Sequence, residues 1–409
     1  MRVLIVTSGS TGDVAPYTGL GERLRAAGHE VTLATHEPFR DSVELPFLPI
    51  PGDLREILPQ ARGQDGTGSG TDLRALARLL RIARPLVAEM GGGIAAAVER
   101  TRAEVLLLST VVAPLGYQVA EAAGIPWAGV FLQPVFPTGD FGPVLAGGRS
   151  VGRFGNRLMG RVTEASAHPL YRGPVRDLRD ALGLPRKGIR RLQREQQHRW
   201  PTFHGFSPSV VPRPADWPAS QEVVGYWWPA RPAGWTPPPQ VEEFLAAGPP
   251  PVFVGFGSMA PGHGARLAKP VLDAVRAAGV RAVVQAGWSG LSAGDHPGVL
   301  DVGAMPHDWL FPRMAAVVHH AGAGTTAAAL RAGAPAVPVP VLADQPFWAR
   351  RLHALGVATA PIPLPRLTAD RLAAALRATP ALRERAGELA GRIREEDGAA
   401  RIIDWLDAL

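Results

Sequence analysis

The chain has 409 residues, 46% of them hydrophobic, enough for two or three domains with sizeable cores. It has no cysteine, which excludes disulfides and thiolate metal sites, and no apolar run as long as a membrane-spanning helix needs. Lysine and arginine exceed the acids to a formal charge of +7, so the distribution of that charge bears on anionic partners.

The opening, MRVLIVTSGS, reads as a β-strand over Arg2–Thr7 and not as an export signal, and the expected location is the cytoplasm. A Gly/Ser/Thr turn, Ser8–Asp13, leads to an amphipathic helix over Ala15–Ala27 that Gly28 closes. Glu30–Ala34 is a second strand. Ala61–Thr71 is a glycine-rich loop without an apolar anchor. Strands follow at Glu104–Leu108 and Trp127–Phe131, with a helix at Pro114–Ala123 between them. The Phe- and Gly-rich stretch Phe136–Gly155 comes just after a strand, where loops commonly line binding sites.

The positive charge gathers in Arg149–Arg213, with Arg186, Lys187, Arg190, Arg191, Arg194 and Arg199. No RNA- or DNA-binding motif accompanies it, so no nucleic-acid partner is expected. A solvated helix face is the plain reading, and peripheral contact with an anionic membrane surface, without insertion, is the alternative.

The Pro-rich segment Tyr226–Pro239 divides the chain. Beyond it the alternation resumes, with strands at Val252–Phe256, Arg281–Gln285, Val299–Val302, Ala315–His319 and Ala336–Val339. Helices are expected at Ala265–Ala278, Gly324–Ala332, Gln345–Ala354 and Ala399–Ala408. The fold class is therefore α/β, with two doubly wound parallel sheets whose strand C-termini meet at one cleft.

Four short segments carry chemistry. VHHAGAGTT at Val318–Thr326 runs from a strand into a helix start, where Gly322 and Gly324 let backbone N–H groups approach a diphosphate and His320 adds a donor. GFGSM at Gly255–Met259 offers a second glycine turn, with Ser258. Asp344–Gln345 pairs a carboxylate with an amide, suited to sugar hydroxyls, although Asp344 also suits a helix cap. Asp13 is a base suited to an acceptor hydroxyl, or else a helix cap. The phosphate loop of NTPases and a complete G-x-G-x-x-G are both missing.

Pro306–Arg351 resembles the donor signature of family 1 glycosyltransferases, closest to the sterol and lipid glucosyltransferases and the bacterial antibiotic glycosyltransferases. SGSTGDVAPYTGLGERLRAAGHEVTLATHEPFRD, LQPVFPTGDF, FSPSVVPRPADW, GYWW and FVGFGSM resemble the same group in the same order, from Met1 to about Arg351. The resemblance implies the GT-B fold, with an N-terminal acceptor domain (1–225), a linker (226–239), a C-terminal donor domain (240–390) and final helices (391–409) that return to the N-terminal domain. It also implies an inverting transfer of a hexose from a UDP- or dTDP-sugar to a hydroxyl of a small apolar acceptor, such as a polyketide, macrolide, terpenoid or sterol. Asp13 would be the base, where plant relatives carry His. The supporting Asp of those relatives is replaced at Leu108–Val112 by Ser109 and Thr110. Ser258, His320, Gly322, Gly324 and Thr325 would hold the diphosphate, and Asp344 and Gln345 the sugar. Ala304 occupies the place of the plant uracil-stacking Trp, so Trp288 would stack on the base, with Met305 in the same pocket. Trp127, Gln133, Phe136 and Phe141 would line the acceptor site.

No metal or cofactor beyond the nucleotide sugar is expected, since Asp-x-Asp is absent and the histidines lack zinc spacing. A sugar-nucleotide epimerase and a non-catalytic glycosyltransferase partner protein are the alternatives.

Overall fold

A computed structural model describes residues 1–53, 73–257, 264–286, 296 and 298–409. Ser258, Trp288 and the loop Ala61–Thr71 lie outside the described residues. The N-terminal sheet has seven strands: β1 Arg2–Val6, β2 Glu30–Thr35, β3 Phe47–Pro49, β4 Val105–Leu108, β5 Trp127–Phe131, β6 Thr202–His204 and β7 Gln221–Val223. They run parallel in the order β3-β2-β1-β4-β5-β6-β7. The C-terminal sheet has β8 Val252–Gly255, β9 Ala282–Gln285, β10 Val299–Val302, β11 Ala316–His319 and β12 Ala336–Pro338. It is parallel in the order β10-β9-β8-β11-β12.

The apolar strand runs in the sequence follow from this topology, because a parallel sheet is covered on both faces. On β1, Leu4 and Val6 point into one core with Met90 and Ile94 of α2 (Leu73–Thr101). Val3 and Ile5 point into the other, with Leu20 and Leu24 of α1 (Thr11–Ala26). The strand order reverses between β1 and β4 in one sheet and between β8 and β11 in the other. Ligands of such sheets bind beyond the strand C-termini at these switch points. The segments there are the Asp13 turn, the Gly255–Gly257 turn and His319–Gly322.

Two connections cross between the halves, and they touch. Tyr226 plugs into a core cluster with Phe347 and Trp348, while its neighbour Trp227 joins the N-terminal core. The return crossing lies at Glu396–Gly398. Trp227 Nε1 donates to the Gly398 carbonyl at 2.9 Å, and a Cβ at Gly398 would lie 2.6 Å from the Gly225 carbonyl oxygen. The crossing is later than expected. The helix Arg383–Glu395 stays with the C-terminal domain, with Leu389 and Ile393 in its core. Only the last helix, Ala400–Asp407, returns to the N-terminal sheet, burying Ile402 and Leu406 beside Leu20 and Leu24. Trp405 is half-buried against Phe203, their ring centroids 6.0 Å apart.

Candidate active site

The Asp13 turn is built by its neighbours. The Thr7 hydroxyl at the end of β1 donates to the Asp13 carbonyl at 2.8 Å. Gly9 turns the chain at φ 145°, and a Cβ there would lie 2.6 Å from Asp13 Oδ2. Helix α1 starts at Thr11, earlier than the sequence suggests, because Ser10 and Asp13 form a capping box. Oδ2 of Asp13 accepts from the Ser10 N–H at 2.9 Å and from its hydroxyl at 2.8 Å. Among the described residues Oδ1 has only a long contact from Gln133 Nε2 at 3.4 Å, so it is the oxygen left to take a proton.

On the facing domain, β11 ends in two histidines with different surroundings. His319 is fully buried, and its Nδ1 accepts from the Ala321 N–H at 3.1 Å. The His320 ring lies between two glycines. A Cβ at Gly322 would be 2.4 Å from its Nε2 and one at Gly257 3.1 Å from its Cε1. Burial, helped by His307, holds His320 down at about 4, so it is neutral at physiological pH. Its Nδ1 is buried without a hydrogen-bond partner among the described residues. Ala321 sits at φ 63°, a conformation that side chains rarely adopt, and directs the chain into α10 (Ala323–Ala332) with Gly322 as N-cap. The N–H groups of Ala323, Gly324 and Thr325 have no partner inside the helix. Met305 is a packing residue here, buried with Val302, Trp309 and Phe311.

After β12 a tight turn presents Asp344 at the start of α11 (Gln345–Ala354). Gln345 Oε1 accepts from the Val341 and Leu342 N–H groups at 2.8 and 3.2 Å, and Ala343 is held at φ 56°. Gln345 is thus partly committed to the turn. Asp344 Oδ2 accepts from Trp348 Nε1 at 2.9 Å. Burial, reinforced by the charge of Asp13, pushes the Asp344 carboxyl up to about 6. The carboxylates of the two domains therefore sense each other across the cleft. Helices α1 and α10 also meet start to start, since a Cβ at Gly324 would lie 3.7 Å from the Cα and carbonyl oxygen of Gly12.

The N-terminal domain holds a largely apolar cavity of about 280 Å³, whose lining includes Pro134, one residue past the Gln133 that reaches Asp13. Phe136 and Phe141 also line it. Gln133 itself reaches Asp13 rather than the cavity wall. Trp127 has to be withdrawn from the acceptor set: it is buried in the domain core against Tyr117 and Trp200, on the face of β5 that packs under helices. The loop that carries Phe136 and Phe141 is tied down by Asp216. This carboxylate accepts from the Thr138 hydroxyl (2.6 Å), the Gly139 N–H (2.8 Å) and Arg157 Nε (2.7 Å). Burial alone would raise its pKa, but the three donors prevail and hold it down at about 2. Among the described residues, no group of three or more His, Cys, Asp or Glu could hold a metal ion.

Comparison with known proteins accords with this geometry. Residues 3–139 match the glycosyltransferase family 28 N-terminal domain, and residues 273–409 match the erythromycin biosynthesis protein CIII-like C-terminal domain. The chain is 38% identical to O-mycaminosyltylonolide 6-deoxyallosyltransferase of Streptomyces fradiae, over 100% of this chain and 98% of that one. It is 32% identical to a sterol 3-beta-glucosyltransferase of Arabidopsis thaliana, over 99% of this chain and 67% of the relative. The chain belongs to the GT-B glycosyltransferases. The fold of this glycosyltransferase is shared with SnogD from Streptomyces nogalater (TM-score 0.70, 21% identity, covering 100% of this chain and 99% of that one). It is also shared with VinC in complex with dTDP (TM-score 0.64, 21% identity, 100% and 99% covered).

Four site features of the glycosyltransferase escaped sequence reasoning. Ser10 was legible, since Ser-x-x-Asp ahead of a helix is a capping-box pattern. The positive φ at Ala321 and Ala343 had no such signal, because alanine gives no warning of it. Asp216 lies 78 residues from Thr138, its partner, and only the fold joins them.

Proposed function

We propose that this glycosyltransferase moves a hexose from a UDP- or dTDP-sugar to a hydroxyl of a small, largely apolar acceptor, with inversion at the anomeric carbon. In one displacement the acceptor oxygen attacks that carbon while its proton passes to Asp13 Oδ1. The bond to the nucleoside diphosphate breaks, and the diphosphate leaves with the bonding electrons. The open N–H groups at the start of α10 and the neutral His320 stabilise the leaving diphosphate, a task of pre-organised dipoles. Asp344 accepts hydrogen bonds from the sugar hydroxyls. The reaction needs no protein-bound metal and no cofactor beyond the sugar nucleotide. A dTDP donor draws support from the dTDP complex of VinC, while the identity of the hexose rests on assay.

The observation that carries this reading is the meeting of the two helix starts, with Asp13 on one side and His320 and Asp344 on the other. The apolar cavity of the N-terminal domain favours transfer over epimerisation, since an epimerase needs room for one sugar nucleotide only. The test is to incubate the protein with UDP- and dTDP-glucose and a panel of hydroxylated aglycones, then read the product by NMR. An α-linked donor should give a β-glycoside. An α-glycoside would refute inversion, and an epimerised nucleotide sugar formed without acceptor would refute transfer.

A further inference from the structure

The helix α4 (Arg153–Ser166) presents three different faces. At 100° per residue, Asn156, Gly160, Thr163 and Glu164 share one side, and all four line the acceptor cavity. On the opposite side Phe154, Leu158, Met159 and Val162 are exposed, continued by Val151 just before the helix. Phe154 is 80% exposed, although it is among the most costly side chains to leave in water. Arg153, Arg157 and Arg161 form a stripe along the flank of this apolar face.

Arginines outnumber carboxylates around the patch. The segment 141–163 contains Arg149, Arg153, Arg157 and Arg161 and no Asp or Glu. Arg153 pairs with Asp140 and Arg157 with Asp216. Arg149 and Arg161 have no carboxylate partner among the described residues. A second copy of this chain would set one net positive face against another. An anionic lipid surface offers acyl chains to the apolar face and phosphates to the free guanidiniums, the pairing that interfacial helices use. No described helix is long and apolar enough to cross a membrane, so the contact would be peripheral.

We infer that the exposed face of α4 docks this protein on an anionic lipid bilayer, with the acceptor cavity directly behind the docked helix. The docking stands on the helix face and its arginines. One consequence, that an apolar acceptor reaches the cavity from the lipid phase, rests on the function proposed above.

Vesicle co-sedimentation tests the docking without reference to turnover. The full chain should bind phosphatidylcholine–phosphatidylglycerol vesicles and bind pure phosphatidylcholine weakly. The double variant Phe154→Ser/Leu158→Ser should lose at least about tenfold in affinity, since two apolar anchors leave the interface. Arg149→Glu/Arg161→Glu should lose the preference for anionic vesicles. Nucleotide binding serves as the folding control for Phe154→Ser/Leu158→Ser, and thermal unfolding serves for the arginine variant, because burial and the nearby charge of Arg149 together lower the pKa of Arg350 in the donor domain. Absence of wild-type binding to the anionic vesicles would overturn the inference. So would ultracentrifugation showing that Phe154→Ser/Leu158→Ser converts a dimer to a monomer while vesicle binding is unchanged, which would assign the face to a second copy. If docking fails while glycosyl transfer is observed, the proposed function stands and only this inference falls.

Discussion

Replacing Asp344 by Asn should make the protein more stable above about pH 6 and a poorer enzyme. The carboxyl is raised from 3.8 to about 6, first by burial and then by the charge of Asp13. In the unfolded chain it ionises near 3.8, so folding holds a proton on Asp344 across that window. The stabilisation that this provides is complete below the unfolded value and is lost as pH rises through about 6. A shift of about 2 pH units corresponds to about 3 kcal/mol, an upper figure because the side chain keeps some contact with solvent. Asn cannot ionise and can still accept from Trp348 Nε1. Urea denaturation between about pH 4 and pH 8 should therefore show Asp344→Asn gaining on the wild type as pH rises, with a plateau of up to about 3 kcal/mol. In an Asp13→Asn background the gain should shrink, because part of the shift comes from that charge. Parallel stability curves for wild type and Asp344→Asn would refute the reasoning, and an unchanged gain in the Asp13→Asn background would refute the coupling across the cleft.

Three further outcomes follow from named contacts. His320→Ala should weaken the bare nucleoside diphosphate and the intact sugar nucleotide alike, by about tenfold for one lost hydrogen bond, whereas Gln345→Ala should weaken only the sugar nucleotide, by releasing the turn that presents Asp344; calorimetric titration with both ligands decides it. Gly398→Ala should cost about 1–3 kcal/mol in denaturant, because its Cβ would meet the Gly225 carbonyl oxygen at 2.6 Å where the two crossings touch; an unchanged midpoint would show that the crossings yield. Deleting Ile402–Leu409 uncovers the N-terminal core beside Leu20 and Leu24, so acceptor glycosylation should suffer more than nucleotide binding, and full activity in the truncated protein would contradict the role of the returning helix.

The long apolar strands were legible because a parallel sheet buries both faces, so that Val-Leu-Ile runs cannot be mistaken for half-exposed strands. Trp127–Phe131 is placed residue for residue, as is Val299–Val302, although the latter is an edge strand with Asp301 exposed. The three-residue strands Phe47–Pro49, Thr202–His204 and Gln221–Val223 were missed, since so few residues show no periodicity and pairing with the sheet alone defines them. On the donor side, His320, Gly322, Gly324, Thr325, Asp344 and Gln345 lie close together in the sequence, while Met305 packs in the core and Ser258 and Trp288 lie outside the described residues. On the acceptor side, Trp127 has the composition of a binding residue, but its strand register turns it into the core. The break before the last helix is legible in the Asp397–Gly398 pair, whereas residues 391–395 do not join the returning segment because they continue the helix Arg383–Glu395.

The most direct test of the account is Asp13→Asn, assayed for transfer to a hydroxylated apolar acceptor and, in parallel, for calorimetric donor binding. Asp13 is held by Ser10 on one oxygen and nearly free on the other, so loss of its basicity should lower turnover by about 100-fold or more while donor affinity is retained. Near-normal turnover in the variant, with donor binding intact, would contradict the assignment of Asp13 as the base.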